Sequence, residues 1–264
     1  MKALAVADVR AAVAREWERF IARLPAADDG PGWRVATRCQ GWTVSDLAVH
    51  AVWGISMEAD ALRRAGAGRR EPAEGRTLDP ARAGPEEIVS GLVAARQALL
   101  DELAVLDDHD GERIVPLPYG ELPRALFLPI LVMEAGIHAD DLAAGGDAAA
   151  PLADDVVVAT TNFLVTFLPV LAAGASATPP AGTVVALRGA TVDLRLRFGD
   201  GRWSAADAGD PLPGPSGTGD AGAVVAAEDD STILRFALGR LAADDSRLSF
   251  SGPGRAFKRW FPGP

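Results

Sequence analysis

Apolar residues recur at three- and four-residue steps through the first two-thirds of the chain and at two-residue steps after it. In the segment 6–24, Val9, Val13, Trp17, Phe20 and Leu24 fall on one face of a helix. The segment 43–66 opens with Thr43 and Asp46 at the spacing of a capping box and ends in Arg63, Arg64 and Gly66, which suit a helix C-terminus. Residues 67–83, rich in Gly, Pro and Arg, read as a loop. Helical spacing resumes over 84–106 after Pro85, which a first turn tolerates. It returns over 120–146, where Pro129 marks a kink or the true start, and over 153–174. Four or five long helices with modest connections predict an up-and-down bundle over residues 1–175.

The stretch 174–183 is a linker candidate, and beyond it the pattern changes. Val192, Leu194, Leu196 and Phe198 alternate with polar positions and the chain turns at Asp200-Gly201. A short strand at 223–227, a helix over 230–243 capped by Asp230 or Ser231, and a last strand at 247–252 complete a small α+β domain over 183–264.

Composition narrows the partners. In 264 residues, 48% are apolar, enough for a substantial core. A net charge of −10 argues against nucleic acid, which needs a basic surface. The single cysteine, Cys39, excludes an intrachain disulfide framework and fits a reducing cytoplasm. The N-terminal run meets charged residues too soon for a secretory signal. The charge-free run 156–174 is diluted by Thr160, Thr161, Asn162, Thr166 and Pro169, so it reads as a buried helix, not a membrane span.

One polar pair interrupts an apolar helix. Glu134 and His138 stand one turn apart among Leu131, Val132, Ile137 and Leu142, and an ionised carboxylate buried there needs a partner. The chain has three histidines; His109 lies in an acidic turn that reads as solvated loop. His50 lies mid-helix and shares a face with Leu47, Trp53 and Met57. Antiparallel packing can bring His50 opposite Glu134 and His138. The result is either a three-ligand site for a divalent metal with an open fourth position, or a buried His–Glu hydrogen bond.

The run 37–50 resembles the hallmark of the DinB-like, mycothiol-dependent maleylpyruvate isomerase family. Its members show Cys-Pro-Gly-Trp-Thr-Val-x-Asp-Leu-x-x-His, here Cys39, Gly41, Trp42, Thr43, Val44, Asp46, Leu47 and His50. A downstream Glu-x-x-x-His-x-x-Asp run appears as Glu134, His138 and Asp141. Gln40 replaces the usual proline, and Ala139 stands where members often carry a bulky or basic residue.

The resemblance implies a DinB-like up-and-down four-helix bundle followed by a small α+β domain. It also implies a metal centre of His50, Glu134 and His138, with zinc the first choice of divalent ion and nickel, manganese or iron also compatible. Asp141 would orient a ligand. Mycothiol would be the thiol cofactor or cosubstrate and a small electrophile the other partner, for an isomerase or an S-transferase. Arg240 is the candidate to clamp a substrate carboxylate, with Arg235 and Arg247 as competitors. The alternatives are a metal-binding DinB-like stress or regulatory protein without chemistry, and a helical interaction protein in which Glu134 and His138 are structural. Cys39, just ahead of a helix N-terminus, is a possible protein nucleophile.

Overall fold

The computed structural model describes residues 4–143, 150–206 and 222–262. Its contacts divide the chain into two compact units, residues 1–159 and 160–264. In the first, α1 (Val6–Ala22), α2 (Val44–Gly66), α3 (Pro85–Ala104) and α4 (Arg124–Asp141) form the up-and-down bundle. The apolar stripe of α1, Val9, Val13, Trp17 and Phe20, is fully buried. At roughly 1.5–3 kcal/mol per large side chain, this stripe rather than intrinsic propensity holds the helix in place. On α4, Gly136 faces Val156 so closely that a Cβ would lie 2.5 Å from its methyl carbons. Only glycine lets the next helix, α5 (Asp154–Thr166), approach there.

Thr43 caps α2 as expected. Its hydroxyl accepts from the Asp46 amide while Asp46 accepts from the Thr43 amide, so two otherwise unpaired donors are satisfied. The segment 120–146 differs from the expected single helix. Residues Gly120–Pro123 form strand β2, paired with β1 (Ile114–Leu117) in a hairpin whose two-residue tip is Pro118-Tyr119. Gly120 there has φ +136°, which helical backbone cannot accommodate. The helix α4 then starts at Arg124 and runs through Pro129.

The second unit begins within α5 and includes α6 (Leu168–Leu171). Its sheet comprises β3 (Val184–Arg188), β4 (Asp193–Gly199), β5 (Arg202–Ala205), β6 (Gly222–Ala226) and β7 (Ser249–Ser251), in the order β5-β4-β3-β6-β7. Among the described strands only β3 and β6 are parallel. Asp200 and Gly201 both take positive φ, the pattern of a tight hairpin turn.

The helix expected over 230–243 is shorter, α7 (Asp230–Ala237), and Asp229 caps it through the Thr232 amide. Asp230 instead accepts from the Thr191 and Val192 amides and clamps the β3–β4 turn. A terminal turn of helix, α8 (Phe257–Trp260), was not expected from the pattern. No described helix is long and apolar enough to cross a membrane.

Candidate metal centre

The centre lies within the first unit, where α2 meets the C-terminal half of α4. The loop before α2 is a tight turn: the Trp42 amide donates to the Cys39 carbonyl and Gly41 has φ +82°. A glycine with that φ at the third position marks a type II turn, which places Gln40 where proline is favoured but not required. The loop is tied to α4 by the Arg38 amide, which donates to the Asp141 carbonyl. From the C-cap of α1, the Arg23 guanidinium donates to the Ala139 carbonyl, so α4 is held on both sides at the level of His138.

One ligand atom from each of His50, Glu134 and His138 lies within 4.8 Å of the others. His138 Nε2 is 3.0 Å from Glu134 Oε2, and the His50 and His138 rings stand edge to face at 5.3 Å. Two imidazole nitrogens and a carboxylate oxygen this close suit a single divalent ion at bonds of about 2.0–2.2 Å. On the far side of the ring, His138 Nδ1 is 3.1 Å from Asp141 Oδ2. A carboxylate there leaves Nε2 turned toward Glu134 and His50, the arrangement common behind metal-bound histidines.

Asp141 is wholly buried, and Cys39 Sγ donates to the same Oδ2 at 3.0 Å. Cys39, His138 and Asp141 thus form a second buried group of possible ligand atoms within 4.8 Å of one another. Burial alone would lower the His138 pKa, but hydrogen bonds to Asp141, Cys39 and Glu134, and the Glu134 charge, carry it well above the ordinary value.

Residues 5–143, more than half of the chain, match the sequence model of the family described as Mycothiol maleylpyruvate isomerase N-terminal domain. The chain belongs to this family. Two crystal structures of the mycothiol-dependent maleylpyruvate isomerase, one of a histidine-to-alanine mutant, share its fold at TM-score 0.65 and 15% identity. Each alignment covers 95% of this chain and 96% of the other. Comparison with curated proteins gave no match.

Within this member of the family, three features of the site were not legible in the sequence. Glu58, two turns along α2 from His50, is 3% exposed, and burial followed by the like charge of Glu134 pushes its pKa well up, against the pull of His138. Tyr119 sits at the tip of the β1–β2 hairpin. Burial around its hydroxyl, then the Glu58 and Glu134 carboxylates, raises its pKa, although the residue as a whole is 60% exposed. Trp42 and Trp53 flank the His50 ring at 4.9 and 6.0 Å, so these packing anchors also wall the site. Nothing in the sequence sets Glu58 apart from the other polar residues of α2, and Tyr119 lay in a segment whose hairpin the pattern did not show.

Arg240 and its competitors Arg235 and Arg247 belong to the second unit. Arg240 follows α7 instead of lying on it, and its Nη1 donates to the Leu238 carbonyl. Arg235 is buried, and Arg247 pairs with Asp245. In the arginine-rich stretch, Asp60 takes Arg63 and Arg64 while Arg70 pairs with Glu121, so much of that charge is internally matched. The His109 amide donates to Asp107 in an exposed loop.

Proposed function

We propose that this protein is a metal- and mycothiol-dependent enzyme, an isomerase or thiol S-transferase, acting on a small electrophile such as maleylpyruvate. Family membership and the fold shared with the mycothiol-dependent maleylpyruvate isomerase support the class of chemistry. The single observation that carries the site is the convergence of His50, Glu134 and His138, drawn from two helices far apart in sequence. On this reading the three residues hold a divalent ion, zinc by preference, and Asp141 keeps His138 in the tautomer that presents Nε2.

When bound, the cation would lower the pKa of a thiol placed at its open position, from about 8.5 to below neutrality. The protein's own residues do the rest. Glu134 and His138, one turn apart on α4, fix where the sulfur sits. Trp42 and Trp53 pack against the His50 ring. Cys39 is occupied as a donor to Asp141, which supports an external thiol as the nucleophile over the protein's own. Addition of that thiolate to a conjugated double bond, rotation and loss of the thiol make an isomerase; retention of the sulfur on the product makes a transferase. Arg240 is proposed to clamp a substrate carboxylate in a bidentate pair.

The test is turnover of maleylpyruvate by zinc-loaded protein with and without mycothiol, following both the double-bond geometry and the free thiol. The proposal expects turnover only with thiol and metal; unchanged thiol marks the isomerase and consumed thiol the transferase. Turnover that survives chelation and needs no thiol contradicts it.

A further inference from the structure

Glu58 lies outside the group of ligand atoms formed by His50, Glu134 and His138. His50, Gly54 and Glu58 follow one another at four-residue steps, so α2 presents all three along one face. A Cβ built at Gly54 would meet nothing within 4 Å, which leaves that face open between the histidine and the carboxylate. Glu58 Oε2 is buried with no hydrogen-bond partner among the described residues. Its carboxyl group acts through space on Glu134 and His138 at one end and on the Tyr119 hydroxyl at the other. A desolvated carboxyl oxygen without a partner is costly, and a leucine would pack at this buried position without that cost. A partner supplied by a bound molecule removes the penalty.

We infer that Glu58 is a ligand-binding residue, taking a hydrogen bond from a neutral donor, a hydroxyl or amide N–H, on the thiol that occupies the site. The inference rests on the thiol-dependent reading above and assigns the contact that recognises the thiol beyond its sulfur. The charges favour the thiol over the electrophile as the source of that donor. Burial and the like charge of Glu134 already raise the Glu58 pKa, so a second negative charge brought beside this pair is disfavoured, whereas a neutral donor is not. The Tyr119 hydroxyl, near both Glu58 and Glu134, adds a second hydrogen-bonding group to the same wall.

The experiment is calorimetric titration of the zinc-loaded full-length protein, as wild type, Glu58→Leu and Glu58→Gln, with mycothiol and with ethanethiol, which has no hydroxyl or amide. Glu58→Leu should weaken mycothiol by roughly tenfold or more, the worth of a hydrogen bond to a carboxyl group. Ethanethiol affinity and zinc content should not change. Glu58→Gln, whose amide oxygen still accepts, should lose less, about threefold; if the leucine variant does not fold, this selective loss decides. Unaltered mycothiol binding in the variants overturns the inference, as does equal loss of both thiols or loss of zinc, which would make Glu58 structural. A wild type that takes up zinc but not mycothiol overturns the functional reading itself, so the two failures are distinguishable.

Discussion

At the scale of single residues, His138 is the pivot: one ring nitrogen faces Glu134 and the other faces Asp141. Asp141→Asn should therefore reduce zinc affinity by about 10- to 100-fold with the bundle intact, measured by competition with a chelating dye. Cys39→Ser should change that affinity far less, because a hydroxyl can still donate to Asp141. The raised His138 pKa sets the sign of the pH dependence. The upward shift favours a second proton on this ring in the metal-free protein, and zinc must displace it. Apparent affinity should thus rise with pH through the neutral range, with proton release detectable as a buffer-dependent heat of binding. A pH-independent affinity would place the metal elsewhere. Scarce histidines and a glutamate interrupting an apolar face drew attention to these three residues, and the family resemblance implied that they form a triad. Glu58 could not be found this way, because nothing in a one-dimensional pattern shows that a glutamate eight residues from His50 is desolvated.

At the scale of elements, helices whose ends carry their own signals were legible and irregular ones were not. Thr43 and Asp46 announce the start of α2 by a local hydrogen-bond exchange that needs no tertiary context. The β1–β2 hairpin has no such local signal. Its strands are four residues each and contain prolines, and the Ala73 amide donating to the Pro116 carbonyl is a contact from distant chain. Asp230 shows the same limit: two adjacent aspartates can each cap a helix, and the turn at Thr191 determines which one does.

Thr43→Ala should cost about 1 kcal/mol in denaturant unfolding. The Thr43 hydroxyl and amide hold the Asp46 carboxyl below its usual range, so its contribution is present above about pH 4 and is lost as pH falls through the lower folded value. The stability difference between wild type and Asp46→Asn should shrink accordingly in acid. Gly136→Ala should destabilise by about 1–3 kcal/mol, since its methyl would meet Val156; a neutral effect would mean that α4 and α5 can separate freely.

At the scale of the whole molecule, the switch from helical to alternating periodicity correctly foretold a bundle followed by a small α+β unit. The division between them is less simple. Contacts part the chain at 159/160, inside α5, whereas composition points to 174–183. We propose that 1–175 and 183–264 are the domains. Limited proteolysis should then leave stable fragments ending near 175 and beginning near 183, and fragments split within α5 would favour the earlier division.

The central claim, that one bundle centre holds both a metal and a small thiol, is tested most directly by native mass spectrometry of the protein incubated with zinc and mycothiol. The account predicts a single zinc ion and a single mycothiol on each wild-type chain, and neither on a folded His138→Ala variant. Retention of both by that variant, or mycothiol bound to zinc-free wild type, would contradict it.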